Sequence, residues 1–321
     1  MTQATEALTS ISIGITCYNA EDTIERAIRS AQAQDWPNVE ILVVDDASSD
    51  NSRSVIEALA EKDQRIRFIP HETNRGYPGA LNTLLRAASG TFIAYFDDDD
   101  FSQPQRLRRQ FERISIHEKA HPGKPIYCYT NRDVVAIGED RPAELTRAIG
   151  RKAPEPHGLP VVDFLLLLTE EEPFVWGQFG SCTLMTRREN LLDIDGFDEN
   201  FRRMAEWDMA IRASEKDAHF IAVDDSLVTQ FKTHGVGNEK SGRTPLKYAL
   251  QLREKHREYL KQRSLYQASR AMARVRFHYA RGERMKMRGF VLLAMAAAPR
   301  KLAGKILGKS RIFRRVTGQA D

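Results

Sequence analysis

At 321 residues, with 41 % hydrophobic and 29 % charged residues, the chain has the composition of a folded globular protein, which excludes wholesale disorder and a small disulfide-held module. Three widely separated cysteines, Cys17, Cys128 and Cys182, form no CxxC pair and fit a reducing compartment. Net charge is only +4, and no apolar run approaches the roughly 20 residues that span a bilayer.

The first hundred residues alternate between short β-branched runs and amphipathic stretches, the pattern of a sheet with helices on both faces. Ile11 to Thr16 reads as the first strand, followed by Ile24, Ala27, Ile28 and Ala31 at helical spacing until Trp36 and Pro37. Glu40 to Val44 is the second strand, ending at Asp45 and Asp46. Val55, Ile56, Leu59 and Ala60 give the next helix, Ile66 to Ile69 the third strand, and Leu81, Leu84, Leu85 and Ala88 another helix after the loop HETNRGYPG.

Thr91 to Phe96 is the fourth strand and runs directly into Asp97, Asp98, Asp99 and Asp100. A helix near Pro104, a strand at Ile126 to Tyr129, and a mobile loop from Gly138 to Pro160 follow. Ser181 to Thr186 reads as a strand, Trp207 to Ala213 as a helix and His219 to Val223 as a returning strand. From Pro245 onward the chain reads as helical and basic, so two domains are expected, 1–242 and 243–321.

In open parallel sheets ligands bind beyond the carboxyl ends of the strands, where these acids fall. Carboxylates that share a cleft with phosphates need a divalent cation between them. Alternation along the extended chain turns Asp97 and Asp99 toward one side, so the acidic run predicts a metal site.

ISIGITCYNAEDTIERAIRSAQAQDWPNVEILVVDDASSD and GTFIAYFDDDD resemble the inverting GT-A glycosyltransferases of the large family-two group, over about the first 230 residues. The resemblance implies a Rossmann-like α/β fold, a mostly parallel sheet flanked by helices, here with a basic helical carboxyl-terminal extension. It also implies a nucleotide-sugar donor, UDP-sugar favoured, and a glycan or lipid-linked acceptor in envelope or exopolysaccharide synthesis. Thr16, Tyr18, Asn19 and Glu21 would line the nucleoside pocket and Asp46 would read the base. Asp97 or Asp98 would hold the ribose, and Asp99 would bind Mg²⁺ or Mn²⁺. Arg75 would lie near base and phosphates, with Gly76 allowing close backbone approach. Singly, several have plainer readings: Tyr18 packing under its turn, Asn19 capping the next helix.

Inverting transfer needs a base for the acceptor hydroxyl. By resemblance it comes from an acidic pair after a GFDE-like turn, here GFDENFRRMAEWDMAIR. Ala205 stands where Glu is common and Glu206 where Asp is common, so Glu206 is expected as base with Asp208 as runner-up. Helix-dipole stabilisation alone also accounts for Asp208. His234, in QFKTHGVGN, is a candidate ligand near the metal or diphosphate, and Trp176 and Trp207 offer flat faces to a sugar ring.

Basic residues crowd the carboxyl end, among them Arg274, Arg281, Arg288, Lys305 and Arg314, interleaved with Phe277, Met285, Phe290 and Leu292. Two expectations follow: helices lying on an anionic membrane surface, or helices packed on the catalytic domain or forming a homodimer. With no secretory signal in MTQATEALTS, the expected location is cytoplasmic, with the membrane contact peripheral on the inner face. No nucleic-acid motif accompanies the charge. A nucleotidyltransferase lacks its Gly-rich basic loop here, a dehydrogenase its GxGxxG, and a processive synthase its QxxRW and spanning helices. The rival from another class is a catalytically silent nucleotide- or sugar-binding protein, to which the altered acidic pair would point.

Overall fold

The computed structural model describes residues 9–136, 138–232 and 244–299. Contacts divide the chain into two compact units, residues 1–158 with 173–235, and residues 159–172 with 236–321.

In the first unit ISIGITC forms β1 (Ile11–Cys17), buried along its whole length, as a continuous apolar run at the centre of a sheet must be. β2 (Val39–Asp45), β3 (Ile66–Pro70) and β4 (Phe92–Asp97) lie parallel to it in the order β3-β2-β1-β4. The crossovers are α1 (Ile24–Gln32), α2 (Ser52–Ala60) and α3 (Tyr77–Ala87). α1 buries Ile24, Ala27, Ile28 and Ala31, the face its spacing announces.

Beyond β4 the sheet becomes mixed. After β5 (Phe101–Ser102) and α4 (Arg106–Ala120), the chain adds β6 (Ile126–Val135), β7 (Pro142–Thr146), β8 (Met185–Arg187) and β9 (His219–Phe231). β8 runs antiparallel between β4 and β6, and β6 and β9 are parallel to each other. The parallel reading therefore holds for the first half of the sheet and gives way in the second, because MTR is too short to carry a periodic signal.

Two local expectations are corrected. The segment read as one strand from Ser181 is a 3₁₀ turn, Ser181–Thr183, followed by β8, with α6 (Arg188–Leu192) after it. The expected loop after Gly138 contains β7, which pairs with β6 and whose residues PAELT are mostly exposed. An edge strand with little to bury has a polar composition that reads as a loop.

The second unit is helical: α5 (Leu159–Leu167), α8 (Thr244–Lys255), α9 (Arg257–Gln262), α10 (Tyr266–Ala280) and α11 (Arg284–Ala297). Arg253, fully buried, donates to the carbonyls of Ala249, Leu166 and Ser269 and so ties α8, α5 and α10 together. The boundary placed near Gly242 lies outside the described residues, and residues 159–172 group with this helical unit. Among the described residues no helix is long and apolar enough to cross a membrane.

Candidate active site

The order β3-β2-β1-β4 reverses direction between β1 and β4, and a crevice opens beyond the carboxyl ends of strands at such a switch point. The turn after β1 and the run after β4 meet there, where the Tyr18 backbone N–H donates to Asp98 Oδ2 at 3.0 Å. Tyr18 is half exposed and Thr16 is buried. Asn19, in the left-handed region at φ 51°, receives the Ser49 N–H on its Oδ1 and gives its own N–H to Ser48. Glu21 accepts from the Asn51 backbone and side chain. The turns after β1 and β2 are thereby laced into one wall.

Asp46, expected to read a base, is occupied with its own chain. Its carboxylate accepts the backbone N–H groups of Arg75 and Gly76, both at 2.8 Å, and meets His71 Nδ1 at 2.7 Å. Gly76 adopts φ 76° and ψ 166°, a conformation open essentially to glycine alone. Asp46 thus holds the Arg75–Gly76 turn at the entrance to α3. The Arg75 guanidinium reaches Glu199, in the GFDE turn, at 3.2 Å.

The carboxylates crowd one another. Burial, then the charge of Asp99, pushes Asp97 up to about 6 and Asp98 up to about 8. Asp100 is pushed up to about 9 by burial, then by Asp97 and Asp99. Asp100 is buried, and neither of its oxygens has a hydrogen-bond partner among the described residues. Ligand atoms of Asp97, Asp100 and Cys182 lie within 4.8 Å of one another. A buried carboxylate with both oxygens bare costs several kcal/mol unless it is protonated or faces a cation. These residues therefore fit a divalent cation, with Asp100 as a ligand that sequence parity had pointed away from. The Asp99 backbone carbonyl accepts from Arg26 at 2.5 Å.

The two expected base candidates part company. α7 (Ala205–Glu215) begins at Met204, which sits at φ 70°, and carries Glu206 and Asp208 in its first turn. Asp208 is fully buried and takes the Arg212 guanidinium at 2.7 Å, while Arg212 also donates to the carbonyls of Ile194 and Gly196. Its bond to Arg212 ties the helix to the Ile194–Gly196 turn. Glu206 faces the acidic run: Ser181 Oγ lies 3.1 Å from its Oε1, the Tyr77 hydroxyl 2.7 Å from Ser181 Oγ, and Asp97 Oδ1 2.8 Å from the Tyr77 hydroxyl.

That chain of three contacts contains two hydroxyl hydrogens. Tyr77 donates one to Asp97 Oδ1 and Ser181 the other to Glu206 Oε1, so the two hydroxyls in contact link the two carboxylates. Sequence reasoning missed Tyr77 and Ser181: each stands beside a glycine, in RGYPG and FGSC, but belongs to no acidic pattern. His234 lies outside the described residues.

Residues 12–149 match the sequence profile of glycosyl transferase family 2. The succinoglycan biosynthesis protein ExoO of Rhizobium meliloti is 43 % identical over 110 residues, 34 % of this chain and 31 % of that protein. An Escherichia coli UDP-Glc:alpha-D-GlcNAc-diphosphoundecaprenol beta-1,3-glucosyltransferase, WfgD, is 44 % identical over 104 residues, 32 % of this chain and 40 % of that one. The chain thus spans well under two thirds of these relatives. Staphylococcus aureus TarS 1-349, solved in complex with UDP-GlcNAc, aligns with a TM-score of 0.61 at 18 % identity, over 90 % of this chain and 82 % of that one, a likeness of fold.

Proposed function

We propose, from the premise that residues 12–149 are a glycosyl transferase family 2 domain, that the protein moves one sugar from a nucleotide-sugar to a glycan or lipid-linked acceptor with inversion at the anomeric carbon. The carrying observation is the chain from Glu206 through Ser181 and Tyr77 to Asp97, which joins a carboxylate at a helix start to the acidic strand end.

In this reading the laced turns bearing Thr16, Tyr18, Asn19 and Glu21 wall the nucleoside, Asp46 fixes the Arg75–Gly76 turn beside it, and Asp98 braces Tyr18. Asp97, Asp99 and Asp100 are the carboxylates that would hold Mg²⁺ or Mn²⁺, and the cation supplies charge neutralisation for the departing diphosphate. Glu206 takes the proton from the acceptor hydroxyl as it attacks opposite the leaving group. Ser181, hydrogen-bonded to Glu206, keeps that carboxylate oriented. UDP as the nucleotide, and a lipid-linked acceptor, draw support from the names of WfgD and of the TarS complex.

Residues 243–321 form a basic extension in this proposal. Its α11 leaves Met285 79 %, Leu292 67 % and Leu293 57 % exposed beside Lys286 and Arg288, a surface that fits an anionic bilayer at the inner face of the membrane. Vesicle flotation with anionic lipid should recover the full-length protein and lose it with Leu292→Glu/Leu293→Glu; recovery unchanged by that substitution would count against the contact and leave packing or a homodimer.

Calorimetric binding of UDP, GDP, dTDP and CDP, with and without Mn²⁺, tests the donor site. Cation-dependent binding of one diphosphate, lost in Asp99→Ala, is expected; binding of none would remove the transferase reading and promote the silent binding protein.

A further inference from the structure

Four of the chain's eight histidines meet at one place that this function does not use. His117 and His121 stand one turn apart at the carboxyl end of α4, and His219 opens β9. His157 forms a bridge to His219 and stacks on its ring, centroids 4.7 Å apart. The His117, His121 and His219 rings approach pairwise at 4.4, 4.8 and 5.0 Å.

His117 Nε2 and His219 Nδ1 are 2.9 Å apart. One nitrogen from each of His117, His121 and His219 lies within 4.8 Å of the others. Two imidazole nitrogens bound tetrahedrally to Zn²⁺ at about 2.0–2.1 Å stand about 3.3 Å from each other, so small ring rotations close the set. Behind His117, Glu155 Oε1 lies 3.8 Å from Nδ1 and is itself held by Arg113. A carboxylate behind an imidazole is the usual support of a metal-bound histidine.

We infer that His117, His121 and His219 form a three-imidazole site for a divalent transition cation, Zn²⁺ above the harder Mg²⁺ or Mn²⁺. His157 Nδ1, on the ring stacked against His219, is buried without a hydrogen-bond partner among the described residues. The alternative set of His157, Asp217 and His219 is weaker, because Asp217 is taken by Lys124 at 2.6 Å.

This site is separate from the acidic one. His219 pairs with Ile126 at the start of β6, and through β8 that level corresponds to the start of β4. Asp97 ends β4 five residues further on, about 16 Å at strand rise. A cation here would clamp the end of α4, the segment at residues 155–157 and the first residue of β9.

The test uses full-length protein with any affinity tag removed and metal stripped by a chelator. Zn²⁺ titrated against a chromophoric competitor should bind one per chain, persist in Asp99→Ala, weaken by at least about tenfold in His121→Asn and weaken less in Glu155→Gln. Co²⁺ substitution should give the intense visible bands of a tetrahedral site. Absence of Zn²⁺ uptake by the unsubstituted protein, or uptake unchanged in His121→Asn, overturns the inference. Should His121→Asn fail to fold, weak octahedral Co²⁺ bands in the unsubstituted protein overturn it equally.

Discussion

At the scale of single residues the account turns on one chain of hydrogen bonds. Three contacts join Asp97, Tyr77, Ser181 and Glu206, with Tyr77 donating to Asp97 and Ser181 to Glu206. Tyr77→Phe removes the hydroxyl that links Asp97 to Ser181 and so loosens the serine that donates to Glu206. Its expected signature is a loss of turnover with a displaced pH–rate profile and unchanged nucleotide affinity, read from steady-state kinetics and calorimetry. A fall in nucleotide affinity alone would mean that Tyr77 only packs. Asp100→Asn removes a carboxyl that is protonated in the metal-free protein at neutral pH and that a cation would ionise, so the metal-free melting temperature should change little while Mn²⁺ no longer raises it.

At the scale of elements, a turn and a buried cation carry specific costs. A Cβ at Gly76 meets nothing closer than 3.7 Å, so Gly76→Ala is opposed by backbone conformation and not by crowding. It should cost about 1–3 kcal/mol in chemical denaturation. Arg253→Met removes three hydrogen bonds to buried carbonyls, although that of Leu166 keeps its bond from Ser269 Oγ, and the loss should reach about 3 kcal/mol, seen as earlier melting of the helical signal. The parallel half of the sheet was legible because each strand there is a long apolar run bounded by turns. β7 was not, since an edge strand reading PAELT has no apolar face, and β8 was too short. Within the candidate site, the acidic run at Asp97 to Asp99 stood out by charge, and Glu206 by the resemblance around GFDE. Tyr77, Ser181 and His71 act through contacts across 104, 25 and 25 residues of chain, which no local pattern records. The ion pair of Asp208 with Arg212, one turn on along the same helix, was likewise not legible as such.

At the scale of the whole molecule, the acidic run links folding to pH and to cations. Folded Asp97, Asp98 and Asp100, raised to about 6, 8 and 9, retain protons that the unfolded chain releases near pH 4. The native state binds more protons across that window, so metal-free stability should fall as pH rises from about 4 to about 9. A cation replaces those protons, and the rise in melting temperature on adding Mn²⁺ should be larger at high pH than at pH 6. Equal rises at both pH values would place the cation away from these carboxylates.

The central claim is sugar transfer driven by Glu206, and the direct measurement is single-turnover transfer from the nucleotide-sugar selected by calorimetry to a lipid-linked acceptor, with Glu206→Gln beside the unsubstituted chain. The account predicts that Glu206→Gln binds the donor with unchanged affinity and transfers about 10²–10⁴-fold more slowly, the range a positioned base contributes. Transfer at an undiminished rate in Glu206→Gln would contradict it.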